Sequence, residues 1–238
     1  DPLLAPAVLM APGDLIAALT VARKDFLQEL RSRATTVATL FFSAITLVMM
    51  AFGLGREPEL MRSAAPGVLW VALAFAGVIA AAQSFQADLE EGAFEQLLLL
   101  PASRAAIYLG KLAASWLYLF ALGVLMVPIA LGLYGATAPA GTWWLLGLVL
   151  LLGTLGLAII ATFYAGLTAN LQAREALLPV LMFPVIVPIM LGAVRATEAA
   201  LMGSADAPLA LSWVQLLGGF DLVYLVVCAS IFHFVVDD

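Results

Sequence analysis

The chain has 238 residues, of which 64% are apolar and only 11% are charged. A soluble domain is roughly 45–50% apolar and about 25% charged. The 10 Lys and Arg and 16 Asp and Glu residues are therefore too few to cover a water-exposed surface. A mean hydropathy of +1.10 agrees, and composition predicts a polytopic membrane protein. The net charge of −6 excludes a nucleic-acid partner, because phosphate binding needs a basic face.

Several catalytic and cofactor-binding classes are also excluded by the residue inventory. The single Gly-Lys pair, Gly110–Lys111, is followed by Leu112 and lacks the glycine-rich loop of an ATP-binding P-loop. An intramembrane enzyme would need paired carboxylates, a Ser–His pair or a metal cluster within its spans, and His233 is the only histidine. We therefore expect a non-enzymatic protein with no metal site.

The chain is expected to open with a tail and an amphipathic helix. Residues 1–12 are rich in Ala and Pro, which predicts a disordered tail or an expression remnant ahead of a single domain over 13–238. Residues 14–33 are predicted to form a helix with Asp14 as its N-cap. Apolar side chains recur at helical spacing on one face: Leu15, Leu19, Ala22, Phe26 and Leu30. Such a helix lies in the membrane interface; alternatively, it also contacts a cytoplasmic partner.

Six continuous apolar runs are long enough to cross a bilayer, which takes roughly 20 residues of helix. They cover about 35–54, 66–85, 112–134, 142–168, 176–194 and 212–234. The predicted fold class is an all-α integral membrane protein with six transmembrane helices, in which 54–66 forms a polar external turn. An aromatic belt at the outer span ends is predicted to contain Tyr134, Trp143, Trp144 and Trp213.

Basic residues set the orientation of the spans. Seven lie on one side of the predicted membrane: Arg23, Lys24, Arg31, Arg33, Arg104, Lys111 and Arg174. Three lie on the other side: Arg56, Arg62 and Arg195. This asymmetry predicts that both termini are cytoplasmic.

Residues 86–106 combine acidic side chains with a run of four leucines. A solvated loop would not carry such a run, whereas a short surface helix with acids and an apolar stripe suits docking to a soluble partner. The glycine in this segment permits a break between two short helices. The residues assigned to docking are Asp88, Glu90, Glu91, Gly92, Phe94 and Glu95.

Two features of the last spans are open to alternative interpretations. Asp221 falls inside the sixth apolar run, where a carboxylate indicates a functional site; alternatively, the span starts later and Asp221 lies near the outer interface. The fifth run contains Pro179, Pro184 and Pro188, which kink a helix. They indicate either irregular packing or a helix that bends during transport.

The segments from Leu15 to Gly192 resemble the CcmB family, the haem exporter permeases of cytochrome c maturation. The sequence F-G-L-G-R-E-P-E-L over 52–60, followed by A-P-G-V-L-W-V over 65–71, is similar to the family's first external loop and second span. Residues 85–100 resemble the family block F-x-x-D-x-x-D-G-x-L-E-x-L-L-L.

The departures from the family pattern are few. Glu91 stands where the family usually has Asp, and Phe94 replaces the usual Leu, so charge and apolar character are kept. Leu155 stands where the family often has Pro, and residues 232–238 are acidic where a basic end is common.

The resemblance implies a six-helix permease of the ABC-2 (type V) kind, with an elbow helix over 14–33 and a coupling helix near 88–100. It implies an ATPase subunit, CcmA, docked at the coupling helix, with CcmC, CcmD and the haem chaperone CcmE as further partners. Paired permease subunits in the bacterial inner membrane are expected. The elbow-helix residues singled out are Arg23, Lys24, Phe26 and Arg31.

Two mechanisms follow for such a permease. It either exports haem as cargo, or it couples ATP hydrolysis by its partner to release of the haem-loaded chaperone. The single histidine favours the second mechanism. The alternative function is an ABC-2 permease for another substrate, such as a lipid, a glycan or a drug.

Overall fold

Seven α-helices account for nearly all of the chain that the structure, a computed structural model, describes: residues 12–55, 57–90, 103–169, 174–203 and 206–236. The helices are α1 (Pro12–Arg31), α2 (Arg33–Leu54), α3 (Pro58–Glu90), α4 (Arg104–Tyr134), α5 (Trp143–Thr168), α6 (Arg174–Met202) and α7 (Ala207–Val236). A short 3₁₀ turn, Ala140–Thr142, leads into α5. The described ranges contain no β-strand.

Helices α2 to α7 are each long and apolar enough to cross a membrane. The spans are Thr35–Leu54, Pro58–Glu90, Arg104–Tyr134, Ala140–Thr168, Leu177–Met202 and Ala207–Phe232. The predicted all-α class with six spans is therefore confirmed. The external turn predicted over 54–66 is wrong, because α3 already begins at Pro58. A proline fits the first helical turn, where its missing N–H has no intrahelical acceptor.

The membrane-spanning helices differ in how much of their surface is buried inside the protein. In α3 and α5, 72% of the most apolar 18-residue window is buried, against 22% in α2 and α7. Helices α3 and α5 therefore form the centre of the bundle, and they touch at Trp70, whose ring covers Gly153. The indole N–H of Trp70 donates to Thr197 Oγ1 of α6 at 2.9 Å, which satisfies its polar edge inside the core.

Serine side chains cap the N-termini of two helices, α2 and α4. Ser32 is the single residue between α1 and α2, and its Oγ accepts a hydrogen bond from the backbone N–H of Thr35. Ser103 caps α4 in the same way. Asp14 is not an N-cap, because α1 begins earlier, at Pro12. Its Oδ1 instead accepts a hydrogen bond from the backbone N–H of Ser103 at 2.8 Å, which joins the start of α1 to the start of α4.

The predicted aromatic belt divides into two groups. Trp143 and Trp144 are 50% and 59% exposed at the start of α5. Tyr134 is buried, and its hydroxyl donates to the carbonyl of Leu47 at 2.9 Å. Its assignment to the belt is wrong because this hydrogen bond ties the end of α4 to α2.

The contact between Trp70 and Gly153 leads to a packing prediction. A Cβ added at Gly153 would overlap the buried Trp70 ring, whereas a Cβ at Gly147 of the same helix meets nothing within 4 Å. We expect Gly153→Ala to lower the free energy of unfolding by about 1–3 kcal/mol, the range for an overpacked core. Thermal unfolding of the purified protein measures this change, and Gly147→Ala is the matched control. Equal stability of the two variants would contradict the packing described.

Candidate functional site

Four charged side chains from three helices meet at one end of the bundle. Lys24 and Asp25 come from α1, Asp88 from the end of α3, and Lys111 from the first part of α4. These four residues are called the charge cluster. The side chains of Asp25, Asp88 and Lys111 are at most 3% exposed, and that of Lys24 is 39% exposed. The chain has thus placed complementary charges inside an otherwise apolar protein.

Each lysine of the charge cluster contacts both carboxylates. Lys24 Nζ lies 2.9 Å from Asp25 Oδ1 and 2.7 Å from Asp88 Oδ1. Lys111 Nζ lies 3.0 Å from Asp25 Oδ2 and forms the fourth ion pair with Asp88 Oδ2. Lys111 also lies over the Phe85 ring, with Nζ 4.6 Å from the ring centroid. The cluster holds two positive and two negative charges and is neutral as a whole.

A glycine allows α1 to approach α4 closely enough to form the cluster. A Cβ added at Gly110 would lie 2.7 Å from the carbonyl oxygen of Ala18 and 2.8 Å from Val21 Cβ. Val21 and Asp25 are four residues apart and therefore lie on the same face of α1. Because Lys111 follows Gly110, the close approach that buries Val21 also brings the lysine to the carboxylate of Asp25.

Because the charge cluster is buried, removal of one of its members is costly, and the pKa of Lys24 depends on the neighbouring carboxylates. Breaking a buried ion pair by removing one partner typically costs about 3–5 kcal/mol, because the other charge remains buried without compensation. Burial lowers the pKa of Lys24, but Asp25 and Asp88 outweigh that effect and hold the pKa above its usual value. Lys24 therefore stays charged and holds α1 to the end of α3.

The structure changes the role of Asp88. Its side chain is buried within the charge cluster, so it is not available to a docking partner, and its assignment to the docking surface is wrong. Glu90, the last residue of α3, is exposed and accepts a hydrogen bond from Gln86 at 2.7 Å. The other predicted docking residues lie outside the described part of the chain: Glu91, Gly92, Phe94 and Glu95.

The four residues singled out in the predicted elbow helix, which corresponds to α1, lie in different environments. Arg23 and Arg31 are exposed, Phe26 is half-buried, and Lys24 belongs to the charge cluster. The apolar side chains of Leu15 and Leu19 are more than half exposed, as a face toward lipid would be. The other face of α1 packs mainly against α4 and carries buried Asp25 and Glu29, which the amphipathic pattern did not predict.

A cleft of about 590 Å³ adjoins the charge cluster. Residues from α1, the start of α2 and the end of α3 line it, among them Asp25, Glu29, Arg31, Thr35 and Ser84. Glu29 is 5% exposed, and neither carboxyl oxygen has a hydrogen-bond partner among the described residues. Desolvation and the nearby charge of Asp25 raise the pKa of Glu29 to about 8, although Lys111 opposes the shift. Glu29 is the acid that the four ion pairs leave uncompensated.

Asp221 lies halfway along α7 and is 4% exposed. Its carboxyl oxygens have no hydrogen-bond partner in the part of the chain that the structure describes. A Cβ at Gly156 of α5 would overlap Asp221 Oδ1 and lie 2.8 Å from Ile189 of α6. The interpretation of Asp221 as an interface residue is wrong, because α7 begins at Ala207, well before it. The side chain of His233 lies outside the described residues.

Sequence reasoning missed Asp25, Glu29 and Lys111 as members of the site. A signal was present, since Asp25 and Glu29 are four residues apart on the face of α1 that also carries the apolar Val21. Acids on an apolar helix face indicate a buried counter-charge. Lys111, flanked by Gly110 and Leu112, was the matching cation.

Comparison with known proteins identifies the family. The family model described as "CcmB protein" matches residues 16–235. The chain belongs to the CcmB family. A relative named "Heme exporter protein B" from Haemophilus influenzae is 30% identical over 182 residues, which cover 76% of this chain and 81% of the relative. The protein of that name from Pseudomonas aeruginosa is 33% identical over 173 residues, covering 73% of this chain and 77% of the relative.

The region matched by the CcmB model contains every residue of the charge cluster, Glu29 and Asp221. The family match confirms the resemblance that the sequence motifs indicated. The chain has the all-α membrane architecture expected of a CcmB permease.

The charge cluster leads to a stability prediction. Lys111→Met leaves Asp25 and Asp88 with Lys24 as their shared cation, so we expect a loss of about 3–5 kcal/mol of unfolding free energy. The control is Arg195→Met, which removes the cation of the Arg195–Glu198 pair, where the arginine is 54% exposed. Exposed pairs contribute about 0–1 kcal/mol. Thermal unfolding of both variants tests the difference, and a Lys111→Met protein as stable as the control would contradict a buried cluster.

Glu29 leads to a prediction of pH dependence. Because its pKa is about 8 in the folded protein and 4.5 in the reference state, folding is favoured by proton binding. This contribution is complete below pH 4.5 and is lost as the pH rises through about 8. Between pH 6 and pH 9 the wild type should lose on the order of 3 kcal/mol of stability, and Glu29→Gln should lose less. Glu59→Gln, whose side chain is 87% exposed, is the control. Parallel pH profiles for wild type and Glu29→Gln would be the contrary result.

Proposed function

We propose that this CcmB-family chain is the permease subunit of an ABC transporter for cytochrome c biogenesis. It couples ATP hydrolysis by a separate ATPase subunit to haem export or to release of a haem-loaded chaperone. The observation that carries the proposal is the charge cluster, which joins α1, the end of α3 and α4. Helix α3 ends at Glu90, and residues 91–102, the segment proposed to receive the ATPase, follow it in the sequence. A force applied to that segment would reach α1 and α4 through these ion pairs.

The proposed orientation places the charge cluster on the cytoplasmic side of the bacterial inner membrane. Seven of the 10 basic residues are assigned to this side of the membrane, as the positive-inside rule requires. The start of α4 meets the end of α7 through the rings of Tyr108 and Phe232, whose centroids are 5.0 Å apart. The same end of the bundle holds α1, which supports cytoplasmic placement of both chain ends.

The proposed ATPase contact is formed by Glu90, Glu91, Gly92, Phe94 and Glu95, with Asp88 as an internal anchor rather than a contact residue. The ATPase is CcmA, and the further partners are CcmC, CcmD and the chaperone CcmE. ATP binding belongs to CcmA, because this sequence has no P-loop. Two permease subunits form the membrane part of the complex.

Of the two mechanisms, we favour release of the haem-loaded chaperone, with haem as cargo of the system rather than a resident cofactor. The sequence contains one histidine, His233, so the imidazole pair of a bis-histidine haem site is not available within one chain. In the chaperone-release mechanism, the permease transmits a conformational change from the ATPase through its helices, and this needs no haem ligand in the permease. Named relatives that are haem exporters support the haem system itself.

Reconstitution separates the two mechanisms. Vesicles that contain this chain and its ATPase should hydrolyse ATP without accumulating haem, whereas vesicles with the complete set of partners should release haem-loaded chaperone when ATP is added. ATP-dependent haem accumulation by the two-protein vesicles would support direct export instead. A deletion strain that still makes all of its c-type cytochromes would refute both and favour a permease for another substrate.

The docking surface is tested by charge reversal. We expect Glu91→Lys combined with Glu95→Lys to reduce co-purification of the ATPase at least about tenfold, since the acids proposed to meet the partner would be replaced by cations. Glu57→Lys combined with Glu59→Lys reverses two exposed acids near the start of α3, at the other end of that helix, and is the matched control. Membrane insertion should be unchanged in both. Undiminished co-purification of the first variant would refute the docking assignment.

A further inference from the structure

We propose that the cleft beside the charge cluster binds a phospholipid headgroup that carries a primary ammonium group, with the ammonium at Glu29 and the phosphate at Arg31. The cleft volume of about 590 Å³ is within the range of small-ligand sites, roughly 300–1,000 Å³. This site is separate from the proposed ATPase contact, and the inference does not depend on the transported cargo.

The inner end of the cleft calls for a cation. The two lysines and two aspartates of the charge cluster neutralise one another, and Glu29 remains as a further buried acid that lines the cleft. Both of its oxygens lack a hydrogen-bond partner among the described residues. Burial holds the pKa of Glu29 at about 8, so the free acid is largely protonated near neutral pH and would ionise when a cation binds beside it. A primary ammonium, with three N–H donors, supplies the missing hydrogen bonds together with the missing charge.

The groups around Glu29 disfavour a bare metal ion. Calcium takes 6–8 oxygen ligands, several of them charged, whereas the other acid of the cleft, Asp25, already binds both lysines. The hydroxyls of Ser32 and Thr35 are engaged with each other at 2.8 Å.

The outer part of the cleft calls for an anion beside the cation. Arg31 is exposed and lines the same cleft, and Lys24 is partly exposed. Acid inside and arginine outside match a zwitterion that enters with its ammonium first. A guanidinium is the side chain best suited to bind a phosphate through two parallel hydrogen bonds.

The position of the cleft favours a lipid over a free metabolite. Leu27, which is 38% exposed, lines the cleft and is one of the exposed apolar residues of α1. Leu15, Ile16 and Leu19 of the same helix are each more than half exposed. An amphipathic helix with such a face lies in the headgroup region of a bilayer. A lipid headgroup in the cleft would therefore keep its acyl chains beside apolar protein.

The experiment measures lipid binding to the purified full-length protein by native mass spectrometry. The probes are phosphatidylethanolamine, phosphatidylglycerol and the soluble headgroup phosphoethanolamine. We expect the wild type to bind phosphatidylethanolamine at least about tenfold more tightly than phosphatidylglycerol. Glu29→Gln should lose most of that preference, because a charged hydrogen-bond acceptor is removed. Glu59→Gln, at the start of α3 and outside the cleft, should retain it.

A second variant keeps the test independent of any folding defect at Glu29. Arg31→Gln should weaken phosphatidylethanolamine binding severalfold, and the exposed Arg195→Gln should not. Equal binding of the two lipids by the wild type, or an unchanged preference in Glu29→Gln, would overturn the proposal. Binding of phosphoethanolamine without binding of the lipid would overturn the lipid assignment and identify a soluble amine as the ligand.

Discussion

The neutral pairing of two lysines with two aspartates is the interaction on which the arrangement of α1, α3 and α4 depends. Lys111 Nζ and Asp88 are almost completely removed from solvent, so neither can keep its charge without the other members of the cluster. The pairing fixes α1 against α4 and fixes the end of α3 against both. It is also the structural link between the amphipathic helix α1 and the last turn of α3, which ends at Glu90.

The cost of burying charge also explains why the apolar bundle and the charged residues occupy different parts of the protein. The apolar bundle of α3 and α5 determines where the helix ends lie, with Trp70 filling the space left by Gly153. At one helix end, the charges that a bilayer would exclude are neutralised within the protein. Glu29 lies outside the four ion pairs and lines the adjoining cleft, so α1 is a structural support and also carries the proposed lipid site. Proposed coupling and proposed lipid binding would then act on the same helix.

The membrane spans were predictable because a bilayer requires continuous apolar residues, and that signal is local in the sequence. The helical start of α3 at Pro58 was not, since mixed polar residues before Pro66 are compatible with either a turn or a helix end. The block around Asp88 was recognised, but its acids were all assigned to the docking surface for the ATPase. Lys111 and Asp25 are 86 positions apart, and no local pattern shows that they meet.

The central claim, that the cluster is stable only as a neutral whole, is tested most directly by a double-mutant cycle between Asp88 and Lys111. Asp88→Leu and Lys111→Met each leave one uncompensated charge, whereas the double variant retains the balanced pair of Lys24 and Asp25, 2.9 Å apart. Unfolding free energies should show that the double variant is more stable than either single variant, with a coupling energy of about 2 kcal/mol or more. Additive losses in the double variant would contradict the account.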